Sequence, residues 1–135
     1  MIRILIVDDA PGWVNYHKTN IEYLNIKGIE IETAYSAKEA FMKVETSIVT
    51  PYDVIFTDLQ MEKDYLPRLA GEWLIEQIKT HKQYSSGSKS NIVIISASAE
   101  IQKTARAHDV LYLPKTVVRN SDSEIYRQFI PEKEI

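Results

Sequence analysis

A chain of 135 residues with 44% hydrophobic and 26% charged side chains has the composition of one soluble globular domain with a single core. A net charge of only -3, without a Lys/Arg cluster, argues against direct binding of nucleic acid, where affinity rests largely on phosphate neutralisation. The absence of cysteine excludes disulfides, thiolate catalysis and cysteine metal sites, and no apolar run approaches the roughly 18 residues of a membrane span. A strand starting at Ile2 leaves no room for a cleavable signal peptide, so the expectation is a cytoplasmic protein without membrane insertion.

The first element, Ile4-Leu5-Ile6-Val7, is a short apolar run rich in β-branched residues, the pattern of a strand covered on both faces. It ends in Asp8 and Asp9. Ala10-Pro11-Gly12 reads as a turn, after which Val14, His17, Ile21 and Leu24 share one helical face, with Gly28 expected to stop the helix. Ile29 to Thr33 alternates apolar and acidic residues, as a half-exposed strand near a sheet edge does. Ser36 and Glu39 form a capping box, and Ala37, Ala40, Phe41 and Val44 continue it as an amphipathic helix.

Pro51 punctuates before a third strand, Tyr52 to Thr57, which ends in Asp58. Leu59 to Ala70 lacks clear periodicity and carries Pro67, so it reads as a loop, and Gly71 to Lys79 resumes as a helix with Leu74, Ile75 and Ile78 inward. Tyr84 to Ser90 reads as a flexible polar connection. Ile92 to Ile95 is a further buried strand ending at Ser96, followed by a short helical segment around Ile101 and Ala105 and a fifth strand, Val110 to Leu113, before Lys115. A last helix is expected from Ser121 or Asp122, presenting Ile125 and Phe129 at i, i+4. Strands alternating with helices predict a parallel sheet with helices on both faces, and no repeat or second domain is visible.

In an open parallel sheet, ligands bind at the carboxyl edge of the strands. That edge would carry Asp8, Asp9, Asp58, Ser96 and Lys115 together. Gathered carboxylates repel one another, and a paired lysine, a proton or a divalent cation relieves them. Each residue has a plainer reading alone: Asp8 or Asp9 as a helix cap, Ser96 as a cap, Lys115 as a solvated surface lysine, Tyr112 as an ordinary strand aromatic. His17, His81 and His108 lack metal-ligand spacing and read as structural or exposed, while Trp13 and Trp73 are expected to pack or to rim the active edge.

The set Ile-Leu-Ile-Val-Asp8-Asp9, Val-Ile-Phe-Thr-Asp58-Leu-Gln-Met61, Ile-Val-Ile-Ile-Ser96-Ala97 and Tyr112-Leu-Pro-Lys115 resembles the receiver domain of two-component response regulators, over essentially the whole chain. The resemblance implies a flavodoxin-like, doubly wound α/β fold, a five-stranded sheet of order 2-1-3-4-5, and one domain spanning 1-135 without an output domain. It implies that Asp58 accepts a phosphoryl group from a phosphohistidine. Asp9, Asp58 and the Gln60 backbone carbonyl would hold Mg²⁺, with Asp8 completing the coordination, and Lys115 and Ser96 would neutralise the phosphoryl oxygens. Ser96 and Tyr112 would move in the switch. The implied partners are a histidine kinase or phosphotransfer protein and an unknown downstream protein target, and the implied catalysis is limited to the chain's own phosphorylation and dephosphorylation. Gln60 and Ser98, two residues beyond Asp58 and Ser96, are candidates for control of hydrolysis.

The chain departs from the family pattern in several places, among them Pro114 before the lysine and Ser96 where threonine is commoner. Thr116 follows Lys115 where receivers commonly have a proline in a cis peptide; a cis bond without proline costs about 3 kcal/mol or more, which predicts a trans peptide and an altered placement of Lys115. The loop between Met61 and Gly71 looks lengthened, and the segment between Ser96 and Lys115 looks short for a fourth helix. Two other functions compete: a receiver-shaped binding module that does not switch, and a haloacid dehalogenase-type phosphatase. The second wants another aspartate two positions after the nucleophile, where this chain has Ala10.

Overall fold

The computed structural model describes residues 1–47, 50–61, 69–81 and 91–132. Five parallel strands, β1 (Ile2–Val7), β2 (Ile29–Ala34), β3 (Val54–Thr57), β4 (Asn91–Ser96) and β5 (Leu111–Pro114), form one sheet in the order β2-β1-β3-β4-β5. Strands β1, β3 and β4 lie inside the sheet and are almost wholly buried, which is why their sequences are continuous apolar runs. The edge strand β2 is half-buried over Ile29 to Thr33, as its alternating acids foretell.

The helices are α1 (Pro11–Tyr23), α2 (Ala37–Thr46), α3 (Ala70–Thr80), α4 (Ile101–His108) and α5 (Lys115–Arg119), followed by a 3₁₀ segment, Ser123–Phe129. Alternate strand residues face opposite layers. Leu5, Val7, Ile55, Ile92 and Ile94 pack with the buried faces of α2, α3 and α4, whereas Ile4, Ile6, Phe56, Val93 and Ile95 pack with α1, α5 and the 3₁₀ segment. The Ser36 hydroxyl caps α2 by accepting from the Glu39 amide at 3.0 Å, and the Glu39 carboxylate accepts from the Tyr35 amide at 2.7 Å. In α3, Leu74, Ile75 and Ile78 are buried as the periodicity predicts.

Several boundaries differ from the sequence reading. Helix α1 stops at Tyr23, short of Gly28, because Asn25 already takes a left-handed φ of 53°. Gly28, at φ 70°, instead turns the chain into β2. Strand β3 begins at Val54, since Asp53 is occupied in pinning the start of β1: its Oδ2 accepts from the Arg3 amide at 2.9 Å. The final helical segment does start near Ser121 and Asp122, with Asp122 as its N-cap, but it is a 3₁₀ helix rather than an α-helix. It buries Tyr126 and Phe129, and a short α5 that the sequence reading did not anticipate precedes it, beginning directly at Lys115. A fourth helix does fit in the short segment, as eight residues closed by Asp109 in the left-handed region. The expected loop at 62–68 and the polar connection at 84–90 lie outside the described residues.

Candidate functional site

Sheet register brings the acids together. Val7 pairs with Thr57 and Ala34, so Asp8 and Asp58, each one residue later, leave neighbouring strands at the same level. Their amides continue the ladder, Asp58 donating to the Val7 carbonyl at 3.0 Å and Asp8 to the Ala34 carbonyl at 3.2 Å. Ser96 pairs with Pro114, which places Lys115 immediately past the end of β5 on the same edge. Asp8, Asp58, Ser96 and Lys115 are buried, while Asp9 and Gln60 are exposed.

Asp8, Asp9 and Asp58 each offer a carboxylate oxygen, and these oxygens lie within 4.8 Å of one another. Lys115 Nζ reaches between two of the acids, 3.0 Å from Asp58 Oδ2 and 2.9 Å from Asp8 Oδ2. The replacement of proline by Thr116 therefore does not carry the lysine away from the aspartates. The contact with Asp58 is an aligned hydrogen bond, whereas the buried Asp8 Oδ2 meets the ammonium at 2.9 Å in a less aligned contact and has no other donor among the described residues. Asp8 Oδ1 accepts from the Ala10 amide at 3.0 Å, and Asp58 Oδ1 from the Leu59 amide at 2.7 Å. The N-cap position of α1 belongs to Ala10, without a side-chain cap, so neither Asp8 nor Asp9 acts there.

Electrostatics follow from this crowding. Burial raises the pKa of Asp58 above the usual carboxylate range and the Asp8 charge adds to the rise, against the opposing pull of Lys115 and the Ser96 hydroxyl. Burial opposes the charge on Lys115, but hydrogen bonding and attraction to Asp8 and Asp58 outweigh it and hold the ammonium above its ordinary value. The donor chemistry suits a hard divalent cation: three carboxylates converge, and Asp9 faces solvent, from which waters would complete a shell.

The remaining candidates occupy distinct places. The Ser96 hydroxyl accepts from the Ser98 amide at 3.1 Å, and the Ser98 hydroxyl accepts from the Glu100 amide at 3.1 Å, so both shape the turn into α4. Tyr112 stands on the edge strand β5, 37% exposed, beside the exposed Leu111. His17 is buried and hydrogen-bonded to the Tyr126 hydroxyl at 2.6 Å, whereas His108 pairs with Glu72 at 2.8 Å. Trp73 packs edge-on against Phe41 between α3 and α2. Trp13 is a neighbour of the site, its ring centroid 4.9 Å from Lys115 Nζ.

Sequence reasoning missed how closely Gly71 bears on the site. A Cβ at Gly71 would lie 1.9 Å from the Asp58 carbonyl oxygen, so α3 packs directly against the backbone that presents Asp58. A glycine opening an apolar helical pattern after a loop is the signal for such close approach.

A five-stranded parallel sheet of order 2-1-3-4-5 with acids at its carboxyl edge defines the CheY-like, flavodoxin-type class of fold. The family model of the response regulator receiver domain matches residues 4–121, and the chain belongs to that family. Among solved structures it is similar to the chemotaxis response regulator CheY4 of Vibrio cholerae, at 21% identity and a TM-score of 0.66 over 89% of this chain and 95% of that one. It is similar to the phosphorylated cyanobacterial phytochrome response regulator RcpA, at 15% identity and a TM-score of 0.74 over 97% and 99% of the two chains. The response regulator TrrA of Thermotoga maritima, in complex with Mg²⁺-BeF, matches at 25% identity and a TM-score of 0.59 over 89% and 98%. Comparison with curated proteins gives no match. No described helix is long and apolar enough to cross a membrane.

Proposed function

We propose that this receiver accepts a phosphoryl group on Asp58 in a two-component phosphorelay and signals through protein contacts. The observation that carries the reading is the buried Asp58 carboxylate, hydrogen-bonded by Lys115 and flanked by Asp8 and Asp9 at the carboxyl edge of the sheet. Phosphoryl transfer asks a protein for positioning and for neutralisation of charge on the equatorial oxygens. An Asp58 oxygen attacks the phosphorus of a phosphohistidine, the P–N bond breaks, and the imidazole leaves with its electron pair to take a proton. Asp8, Asp9, Asp58 and the Gln60 carbonyl would hold Mg²⁺, which would supply positive charge for the phosphoryl oxygens. Structures of phosphorylated RcpA and of TrrA with Mg²⁺-BeF support this assignment by likeness.

Lys115 needs little movement to serve the phosphoryl group, since its ammonium already contacts Asp58 Oδ2. The Ser96 hydroxyl, whose oxygen accepts from the Ser98 amide, already helps to hold down the Asp58 pKa by hydrogen bonding, and its proton would turn to a phosphoryl oxygen. The new charge, roughly -1.5 to -2, biases the protein toward whichever arrangement of Ser96 and Tyr112 pairs it better. The partners in this reading of a cytoplasmic receiver are a histidine kinase or phosphotransfer protein and a downstream protein target, with Gln60 and Ser98 as the candidates for control of hydrolysis. Incubation with Mg²⁺ and phosphoramidate, followed by intact mass, tests it. The wild type is expected to gain one phosphoryl group and Asp58→Asn none; no gain in the wild type with any small donor contradicts the assignment.

A further inference from the structure

We propose that Trp13 is the positioning residue that holds Lys115 at Asp58, an inference that rests on the phospho-acceptor reading and assigns a further residue to it. The Trp13 ring centroid lies 4.9 Å from Lys115 Nζ and 5.4 Å from the Arg119 guanidinium carbon, so one indole of α1 receives two cations from the single short helix α5. Lys115 Nζ thus has three neighbours of fixed position: Asp8 Oδ2, Asp58 Oδ2 and the indole.

The ring is itself braced. Tyr16 meets it edge-on, at 5.4 Å between centroids and 71° between planes, and His17 lies beside it at 5.4 Å and 30°. His17 is anchored in turn by the Tyr126 hydroxyl at 2.6 Å, and the Tyr16 hydroxyl donates to the Val118 carbonyl of α5 at 3.3 Å. A lysine carries a flexible four-carbon stem, and ordering it at the reaction site costs rotamer entropy. A braced aromatic face meets that cost before the phosphoryl group arrives, because the ammonium is already held where charge will develop. Lys115 opens a five-residue helix, and beside its two carboxylate partners the indole is the aromatic face set against its charge.

The expected consequence is a loss of rate that passes through Lys115. Trp13→Leu, which keeps apolar bulk without the π face, is expected to slow phosphorylation by phosphoramidate roughly 5- to 30-fold, the range between an exposed and a desolvated cation–π contact. Trp13→Phe should stay within about 3-fold of the wild type on the same reasoning. In a Lys115→Met background, Trp13→Leu should add nothing. A metal-free spectroscopic check accompanies the kinetics: in Trp73→Phe, Trp13 is the sole indole, and Lys115→Met is expected to change its emission.

Equal slowing by Trp13→Leu with and without Lys115, equal slowing by Trp13→Phe and Trp13→Leu, or an emission spectrum indifferent to Lys115 would each overturn the role of Trp13 while leaving phosphorylation of Asp58 intact. Absence of any phosphoryl gain in the wild type overturns the phospho-acceptor reading and this one with it.

Discussion

Replacing Gly71 by alanine adds a single methyl group at the point where α3 touches the backbone of Asp58. The new Cβ falls 1.9 Å from the Asp58 carbonyl oxygen, 2.7 Å from Leu59 Cα and 2.8 Å from the Asp58 carbonyl carbon. The first contact is about 1.5 Å short of ordinary van der Waals distance, and all three obstacles are backbone, so no rotamer change relieves them. Either α3 withdraws or the end of β3 shifts. Withdrawal strains the Gly71 amide's hydrogen bond to the Leu59 carbonyl, 3.0 Å long, and unpacks the buried Leu74, Ile75 and Ile78. In an open helix this substitution stabilises, by roughly 0.5–1 kcal/mol. Overpacking a closed core costs about 1–3 kcal/mol, more when backbone must move, so destabilisation wins. Urea unfolding should show a midpoint lowered by a net cost of about 2 kcal/mol at unchanged m. Phosphorylation by phosphoramidate should also fall by about 10-fold or more, since a displacement near 1 Å in a reacting group costs up to 10²-fold. A Gly71→Ala protein as stable as the wild type, with undiminished phosphorylation, would refute the claim that this contact sets the position of Asp58.

Two further perturbations read the charges of the site and its support. Burial, reinforced by the Lys115 charge, lowers the pKa of His17 from 6.5 to about 4. The neutral ring is therefore favoured in the fold, its contribution is complete above pH 6.5, and it is lost as pH falls toward 4, in total about 3 kcal/mol. His17→Gln should flatten the pH dependence of stability across that window in urea titrations, and an unchanged slope would contradict the buried neutral assignment. Asp58 has a raised pKa, so its ionised form costs stability at neutral pH. Asp58→Asn is expected to stabilise the metal-free protein by about 0.5–2 kcal/mol, read as a higher urea midpoint at unchanged m, and added Mg²⁺ should stabilise the wild type more than the variant. Equal stabilisation of both by Mg²⁺ would remove Asp58 from the metal site.

The legible parts of this fold are those where one local signal sufficed. Strands β1, β3 and β4 are buried on both faces, and their apolar runs identify them without knowledge of any partner. Placement of Asp8 and Asp58 on one edge then follows from parallel pairing alone. The end of α1 was hidden because an asparagine, not the nearby glycine, takes the left-handed conformation. The start of α5 was hidden because Lys115-Thr-Val-Val-Arg carries two valines and a threonine, residues that favour strands, and is helical only through tertiary packing of Val118. Contacts such as Trp13 with Lys115 join α1 to α5 across the sequence and depend on that helix, so no local pattern announces them. Ser36 and Glu39 are the opposite case, a capping interaction complete within four residues.

The measurement that bears most directly on the phospho-acceptor assignment is chemical localisation of the phosphoryl group. The protein is phosphorylated with phosphoramidate and Mg²⁺, reduced with borohydride so that an aspartyl phosphate becomes homoserine, digested, and sequenced by tandem mass spectrometry. Homoserine is expected at position 58 and at neither position 8 nor position 9. Homoserine at one of the other aspartates with position 58 unmodified, or recovery of the phosphoryl group on a histidine, would contradict the assignment of Asp58 as the acceptor.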